Sequence, residues 1–157
     1  MSGKVEARLA ELGLTLPAVA APLAAYVPAT RAGDLVFTAG QLPFVDGVLQ
    51  ATGLVGEGEG AVSIEVAKAA AERAALNALA AVKGVIGDLD LIERVVKVTG
   101  FVACNSDFTS HPAVVNGASE LLLALFGEAG KHARSAVGTS SLPINSPVEV
   151  ELVVQVR

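Results

Sequence analysis

The side chains best suited to chemistry lie near the C-terminal end of the sequence. Arg134 opens one predicted strand, and Glu149 and Glu151 alternate with valines on the last one. A guanidinium is planar and always charged, and it binds a carboxylate through two parallel hydrogen bonds. Arg134 is therefore our candidate for holding a small carboxylate. The alternative is an ion pair between Arg134 and one of the glutamates that serves only the fold, since such pairs are common.

Cysteine and histidine are too few for a disulfide framework or a zinc site. Cys104 is the single cysteine, and His111 and His132 lack the further ligands that zinc needs. We interpret Cys104 as an inert, partly buried thiol and His111 as a capping or surface residue. His132, two residues before Arg134, is the better candidate for a site histidine. We expect no metal and no other cofactor.

The glycine-rich stretch at residues 53–60 invites comparison with a phosphate-binding loop. Such a loop has Lys followed by Ser or Thr after its last glycine, whereas Ala61 and Val62 follow here. We therefore predict a surface connection.

Composition indicates one domain that hides part of its surface. The chain has 157 residues, of which 52% are apolar and only 17% are charged. So few charges favour an oligomer with a buried interface. The net charge of −5 argues against duplex nucleic acid as a partner. No apolar run approaches the ~18 residues of a membrane span, and the first residues lack the apolar core of an export signal, so we expect a cytoplasmic protein.

The hydrophobic patterns predict an α+β protein with the order ββ(β)αβαββ after a short N-terminal helix. We predict that helix at 4–13, an extended tether or edge strand at 15–24, a hairpin of 26–30 and 35–39, a short strand at 48–50, helices at 62–86 and from Ser110 to Gly127, and strands at 93–103, 133–139 and 148–156.

Side-chain spacing predicts which face of each element is buried. For the first long helix we expect a stripe near Val66, Ala70, Ala74, Leu76 and Leu79, and for the second Val114, Ala118, Leu121, Leu122 and Leu125. In strand 93–103 both faces carry apolar groups, and we expect both to be covered: one shows Val96, Val98, Gly100 and Val102, the other Val95, Lys97, Thr99, Phe101 and Ala103. In the last strand one face shows Val148, Val150, Leu152, Val154 and Val156.

Two long helices cover only one face of such a sheet. The second face combines the apolar Val95, Phe101 and Val153 with the charged Lys97 and Glu149. A closed ring of subunits would bury this face and leave clefts between neighbouring chains.

Several separate segments follow one another in order and at compatible spacing, and they cover most of the chain from about Tyr26. They are Tyr26-Val27, Thr38-Ala39-Gly40-Gln41-Leu42-Pro43, Val95-Val96-Lys97-Val98-Thr99, Phe101-Val102, Val115-Asn116, Ala133-Arg134-Ser135, Leu142-Pro143 and Val148-Glu149-Val150-Glu151. Together these segments resemble the RidA/YjgF family of reactive-intermediate (enamine/imine) deaminases.

The resemblance implies a chorismate-mutase-like (YjgF-type) α+β fold, a homotrimer, and sites in the clefts between subunits. It implies that Arg134 grips the carboxylate of a 2-imino or 2-aminoacrylate-type acid and that Glu149 helps to place the attacking water. Tyr26 and Asn116 would shape the cleft. Gly40 and Ala136 are our further candidates for substrate binding.

The sequence also departs from the family pattern. Ala39 stands where a serine is usual, Ala136 where many members have a cysteine, and Gly138 where a glutamate is common. Roughly the first twenty residues are extra, so we divide the chain into an N-terminal segment, 1–24, and a family-like domain, 25–157. We predict that residues 1–20 of this segment cover an edge of the fold and are dispensable for folding.

Four functions are compatible with these observations. The first is hydrolytic deamination of small 2-imino or enamine acids, and the second is non-catalytic binding of a carboxylate metabolite through the same arginine. An endoribonuclease or translation inhibitor, a label some relatives carry, is disfavoured by the acidic balance and the few aromatic residues. A chorismate mutase, by fold analogy alone, would need more than one cation in its cleft.

Overall fold

The computed structural model describes residues 3–19, 21 and 25–157 of the chain. Its helices and strands follow the predicted order, with one additional short strand before 48–50. They are α1 (Lys4–Glu11), β1 (Ala29–Ala32), β2 (Leu35–Thr38), β3 (Phe44–Val45), β4 (Val48–Leu49), α2 (Ile64–Ile86), β5 (Ile92–Ala103), α3 (His111–Phe126), β6 (Ala133–Thr139) and β7 (Val148–Val156).

Five strands form one sheet in the order β1-β2-β7-β5-β6, and β3 and β4 form a separate small hairpin. The pairs β1–β2, β2–β7 and β7–β5 are antiparallel. Only β5 and β6 run parallel, since α3 carries the chain back between them. The predicted hairpin turn is confirmed, with Gly33 at φ +64°, in the left-handed region that favours glycine.

Helices α2 and α3 pack side by side on one face of the sheet. The predicted alternation of β7 is confirmed: every residue from Val148 to Val156 that faces the helices is buried, and those between are only partly covered. The predicted buried stripe of α3 is also confirmed along its whole length. Together these faces form the core and confirm the α+β class.

The predicted buried stripe of α2 was partly wrong. Val66 is 47% exposed, whereas Ala67 and Ala71 are fully buried. The buried face follows the alanines because α2 lies very close to α3: a Cβ added at Gly117 of α3 would lie 2.0 Å from the Lys68 carbonyl oxygen. At such a distance small side chains fit the interface and valine does not.

The predicted face of β5 was wrong at its start. Val95, which we expected on the face opposite to Val98, is fully buried like Val98, whereas Val96, which we expected beside Val98, is 36% exposed. The pairing register with β7 shifts between Val95 and Lys97, and this irregularity moves the side chains by one position. From Val98 onward the predicted alternation holds.

The predicted role of the N-terminal segment as an edge cover was also wrong for α1. This helix packs on the helical layer, where Val5 and Leu9 join the core, and Glu6 forms an ion pair with Lys83 of α2. The Asp90 carboxylate accepts hydrogen bonds from the first backbone N–H groups of α1, at 2.7 Å from Lys4 N and 2.9 Å from Val5 N.

We expect Asp90→Ala to lower the free energy of unfolding by about 1 kcal/mol, as loss of a helix cap does, and the melting temperature by about 2–4 °C. The hydrogen bonds from Val5 N and Lys4 N lower the pKa of Asp90. A carboxyl group with a lower pKa in the folded state stabilises the fold at pH values above its unfolded-state pKa. This stabilisation is lost as the pH falls through the folded-state pKa. Calorimetry should therefore show that the difference in melting temperature between the variant and wild type becomes smaller below about pH 4.

Glu93→Ala is the matched control, since Glu93 is an exposed acid on the neighbouring strand. A pH-independent deficit for the Asp90 variant, or an equal deficit in the control, would contradict this account.

Candidate functional site

Arg134 lies near the start of the edge strand β6, on the sheet face that carries the helices. It pairs with Val98 of β5, whose side chain is in the core. Its Nη1 donates hydrogen bonds to Asn116 Oδ1 at 2.8 Å and to Ser119 Oγ at 3.2 Å. Both acceptors belong to α3, so one guanidinium nitrogen is anchored to the helix.

The anchoring leaves part of the guanidinium available. Among the described residues, Arg134 Nε and Nη2 have no hydrogen-bond partner, and no acidic side chain lies within ion-pair distance. These two nitrogens form the edge of the guanidinium that binds a carboxylate with two parallel bonds. The arginine is thus held in place without being neutralised.

Within the described part of one chain, Arg134 therefore does not form the structural ion pair considered as an alternative. Glu149 pairs with Phe101, and Glu151 pairs with Thr99, and both glutamates project from the sheet face opposite to the helices. The sheet itself separates them from Arg134.

Glu149 lies against the backbone that follows β2. A Cβ added at Gly40 would meet Glu149 Oε1 at 1.7 Å, so any side chain at position 40 would displace this carboxylate from its present position. Burial raises the pKa of Glu149, and the neighbouring carboxylate of Glu151 raises that pKa further. Gly40 and Glu149 form the second group of candidate residues.

A single chain does not bring all the candidates together. Ala136 pairs with Gly100, packs against the core and lies two residues after Arg134 on the same face of β6. Tyr26 is 49% exposed and precedes β1, at the opposite edge of the sheet from β6.

The sequence did not single out Ser119, the second acceptor for Arg134. Its position three residues after Asn116 places both side chains on the same face of a helix, which is the signal that could have revealed it. His132, the preferred site histidine, lies close by: Ser119 Oγ is 2.8 Å from His132 Nε2.

His111 and Cys104 form a separate pair, away from Arg134. His111 Nε2 lies 3.5 Å from Cys104 Sγ, and its ring packs edge to face on Phe108. The predicted capping or surface role of His111 was therefore wrong. Cys104 is buried, and this burial raises the pKa of its thiol, in agreement with an inert cysteine.

In residues 3–19, 21 and 25–157, no cluster of three or more His, Cys, Asp or Glu side chains is arranged to hold a metal ion. None of the helices within these ranges is long and apolar enough to cross a membrane.

Comparison with known proteins places the chain in one family. Residues 6–156 match the family model described as "YjgF/chorismate_mutase-like, putative endoribonuclease". The chain is 41% identical to Protein TCP17 of Trypanosoma cruzi over 99% of this chain and 96% of that one. It is 46% identical to Atu1372 of Agrobacterium tumefaciens, a protein of unknown function with a crystal structure. The TM-score is 0.90, over 98% of this chain and 93% of that one.

RidA from the Antarctic bacterium Psychrobacter sp. is also similar, with 29% identity and a TM-score of 0.59 over 88% of this chain and 94% of that one. The chain is thus a member of the YjgF/chorismate-mutase-like family, with its α+β fold.

We expect Glu149 to titrate above the ordinary glutamate value of about 4.3. Because Glu151 contributes to the shift, Glu151→Gln should lower the Glu149 pKa while leaving it above the ordinary value, since burial remains. Carbon-13 NMR of the side-chain carboxyl groups across pH 3–8 measures both values. A Glu149 pKa at or below the ordinary glutamate value of about 4.3 would show that neither burial nor Glu151 raises it.

Proposed function

We propose that this protein hydrolyses small 2-imino and enamine carboxylic acids to 2-oxo acids and ammonia. The observation that carries the proposal is the guanidinium of Arg134, which α3 holds by Nη1 while Nε and Nη2 have no protein acceptor in the described chain. A planar donor pair of this kind fits a carboxylate better than any other common metabolite group except phosphate.

The reaction requires little from the protein beyond orientation of the substrate and of the attacking water. Water adds to the electrophilic imine carbon, the nitrogen takes up a proton, and the C–N bond breaks to release ammonia and leave a carbonyl group. A carboxylate clamp holds the substrate, and a second carboxyl group places the water and moves its proton. Glu149 suits the second role, because its raised pKa lies closer to neutral pH.

Arg134 and Glu149 lie on opposite faces of the sheet, so the proposed site needs a second copy of the chain. The face without helices carries exposed Phe37 and Val137 beside Phe101 and Val153. Apolar groups grouped in this way are typical of subunit interfaces. We therefore propose a homotrimer in which Arg134 of one subunit and Glu149 of another line each cleft.

The endoribonuclease in the family description is not the function that we propose. The net charge of −5 disfavours attraction to RNA, and the 4% aromatic content offers few platforms for stacking bases. The alternative with the same site is a binding protein for a carboxylate metabolite, which would bind 2-oxo acids without turnover.

We expect Arg134→Ala to reduce kcat/KM about 10- to 150-fold, because the lost charge-assisted bonds correspond to roughly 1.5–3 kcal/mol. Arg134→Lys should recover only part of this loss, since an ammonium cannot form the planar fork. The measurement is ammonia release from freshly generated 2-iminobutanoate or 2-aminoacrylate.

Arg94→Ala is the matched control, since Arg94 is an exposed arginine on β5 without a hydrogen-bond partner in the described chain. Equal turnover by wild type and Arg134→Ala, per folded molecule, would end the deaminase proposal. A wild type that binds 2-oxobutanoate without turnover would support the binding-protein alternative.

We expect the protein to have about three times its 15.8 kDa chain mass by light scattering coupled to size exclusion. We also expect Arg134→Ala and Glu149→Gln, each impaired alone, to complement one another when refolded together. Random mixing in a trimer rebuilds about one quarter of the sites with both native residues. A monomer, or mixed trimers with no more activity than the single variants, would contradict a site shared between subunits.

A further inference from the structure

Arg134 is one end of a chain of hydrogen bonds that runs away from the proposed substrate position. Its Nη1 donates to Ser119 Oγ at 3.2 Å, and Ser119 Oγ lies 2.8 Å from His132 Nε2. His132 Nδ1 in turn lies 2.6 Å from the carbonyl oxygen of Gly130. Neither Ser119 nor His132 has a role in the reaction proposed above.

The donor and acceptor groups give this series of hydrogen bonds one direction. A carbonyl oxygen only accepts, so the imidazole proton of His132 lies on Nδ1, and Nε2 of the neutral ring is an acceptor. Ser119 therefore donates its hydroxyl proton to His132. Its oxygen lone pairs then face Arg134, which can only donate.

The last acceptor in this series of hydrogen bonds, the Gly130 carbonyl group, belongs to the backbone. Gly130 is buried, and a Cβ added there would lie 2.3 Å from the Leu122 carbonyl oxygen of α3. The turn that ends α3 therefore packs against the helix without spare room, and its carbonyl group is a rigid anchor for the His132 ring.

We propose that Ser119 and His132 are positioning residues for Arg134, a proposal that rests on the function proposed above. Together with Asn116, Ser119 occupies both hydrogens of Nη1 and so fixes the plane of the guanidinium. This orientation presents the Nε–Nη2 edge to the substrate carboxylate before binding. Preorganisation of this kind strengthens binding because less orientational freedom is lost in the complex.

His132 has a distinct part in this arrangement. A serine hydroxyl with no acceptor beside it is free to turn its proton toward Arg134, where it opposes the guanidinium. The neutral imidazole supplies that acceptor and holds the hydroxyl proton away. A side chain of similar reach that still accepts a hydrogen bond, such as glutamine, should replace it in part, whereas leucine should not.

The test compares Ser119→Ala, His132→Leu and His132→Gln with wild type. We expect Ser119→Ala and His132→Leu to raise KM, and the dissociation constant of 2-oxobutanoate, about 3- to 10-fold, as loss of one hydrogen bond does. The kcat should change less than twofold, because these residues act on carboxylate binding. His132→Gln should recover most of the affinity. Ser110→Ala is the matched control, since that serine opens α3 without a side-chain cap bond.

The possible failures are distinguishable. Wild-type affinity in Ser119→Ala and His132→Leu, in a protein whose binding depends on Arg134, overturns this proposal and leaves the proposed function intact. An equal loss in His132→Leu and His132→Gln that follows their melting temperatures shows a merely structural role and also overturns it. A wild type that neither binds 2-oxobutanoate nor releases ammonia overturns the proposed function, and the positioning role with it.

Discussion

The position of α3 is set by two contacts that leave no room for a side chain. A Cβ on Gly100 of β5 would lie 2.4 Å from Val115, and one on Gly117 would lie 2.0 Å from a carbonyl oxygen of α2. Because protein interiors are close-packed, neither contact loosens without a shift of backbone. Asn116 lies between the two contact residues in sequence, so the same packing fixes the acceptor that holds Arg134. The packing of the core therefore determines where Asn116 holds Arg134.

The alternation of side chains along strands has an equally direct consequence for the chemistry. Arg134 shares the helix face of the sheet with its partner Val98, whereas Glu149 shares the other face with Phe101. The two charged groups of one chain therefore cannot neutralise each other across the sheet. A guanidinium with no acidic partner in the described part of its own chain keeps its affinity for an external carboxylate, and a carboxyl group on the uncovered face is accessible to a second subunit.

Strongly periodic elements were predicted correctly from the sequence, and the errors have local causes. The alternation of β7 and the stripe of α3 leave no competing choice of face. Val66 was misplaced because hydrophobicity ranks valine above alanine, whereas the short distance between α2 and α3 admits only small residues. Val96 was misplaced because one irregularity in pairing reverses the side-chain parity of β5, and nothing in the residue types marks it. Arg134 became a candidate through its chemistry and the family resemblance, whereas Ser119 belongs to none of the resembling segments.

The surroundings of Glu149 are unfavourable for stability and suited to proton transfer. Burial and the Glu151 carboxylate both raise the Glu149 pKa, so any stability from this group is present at low pH and lost as pH rises through the folded-state pKa. At neutral pH the ionised group therefore destabilises the fold relative to a neutral side chain of the same shape. A purely structural role at this position would favour glutamine, which can hydrogen bond without a charge. The same raised pKa brings a general acid or base closer to the pH at which proton transfer is most effective. The acid beside Gly40 is thus easier to explain by reaction chemistry than by packing.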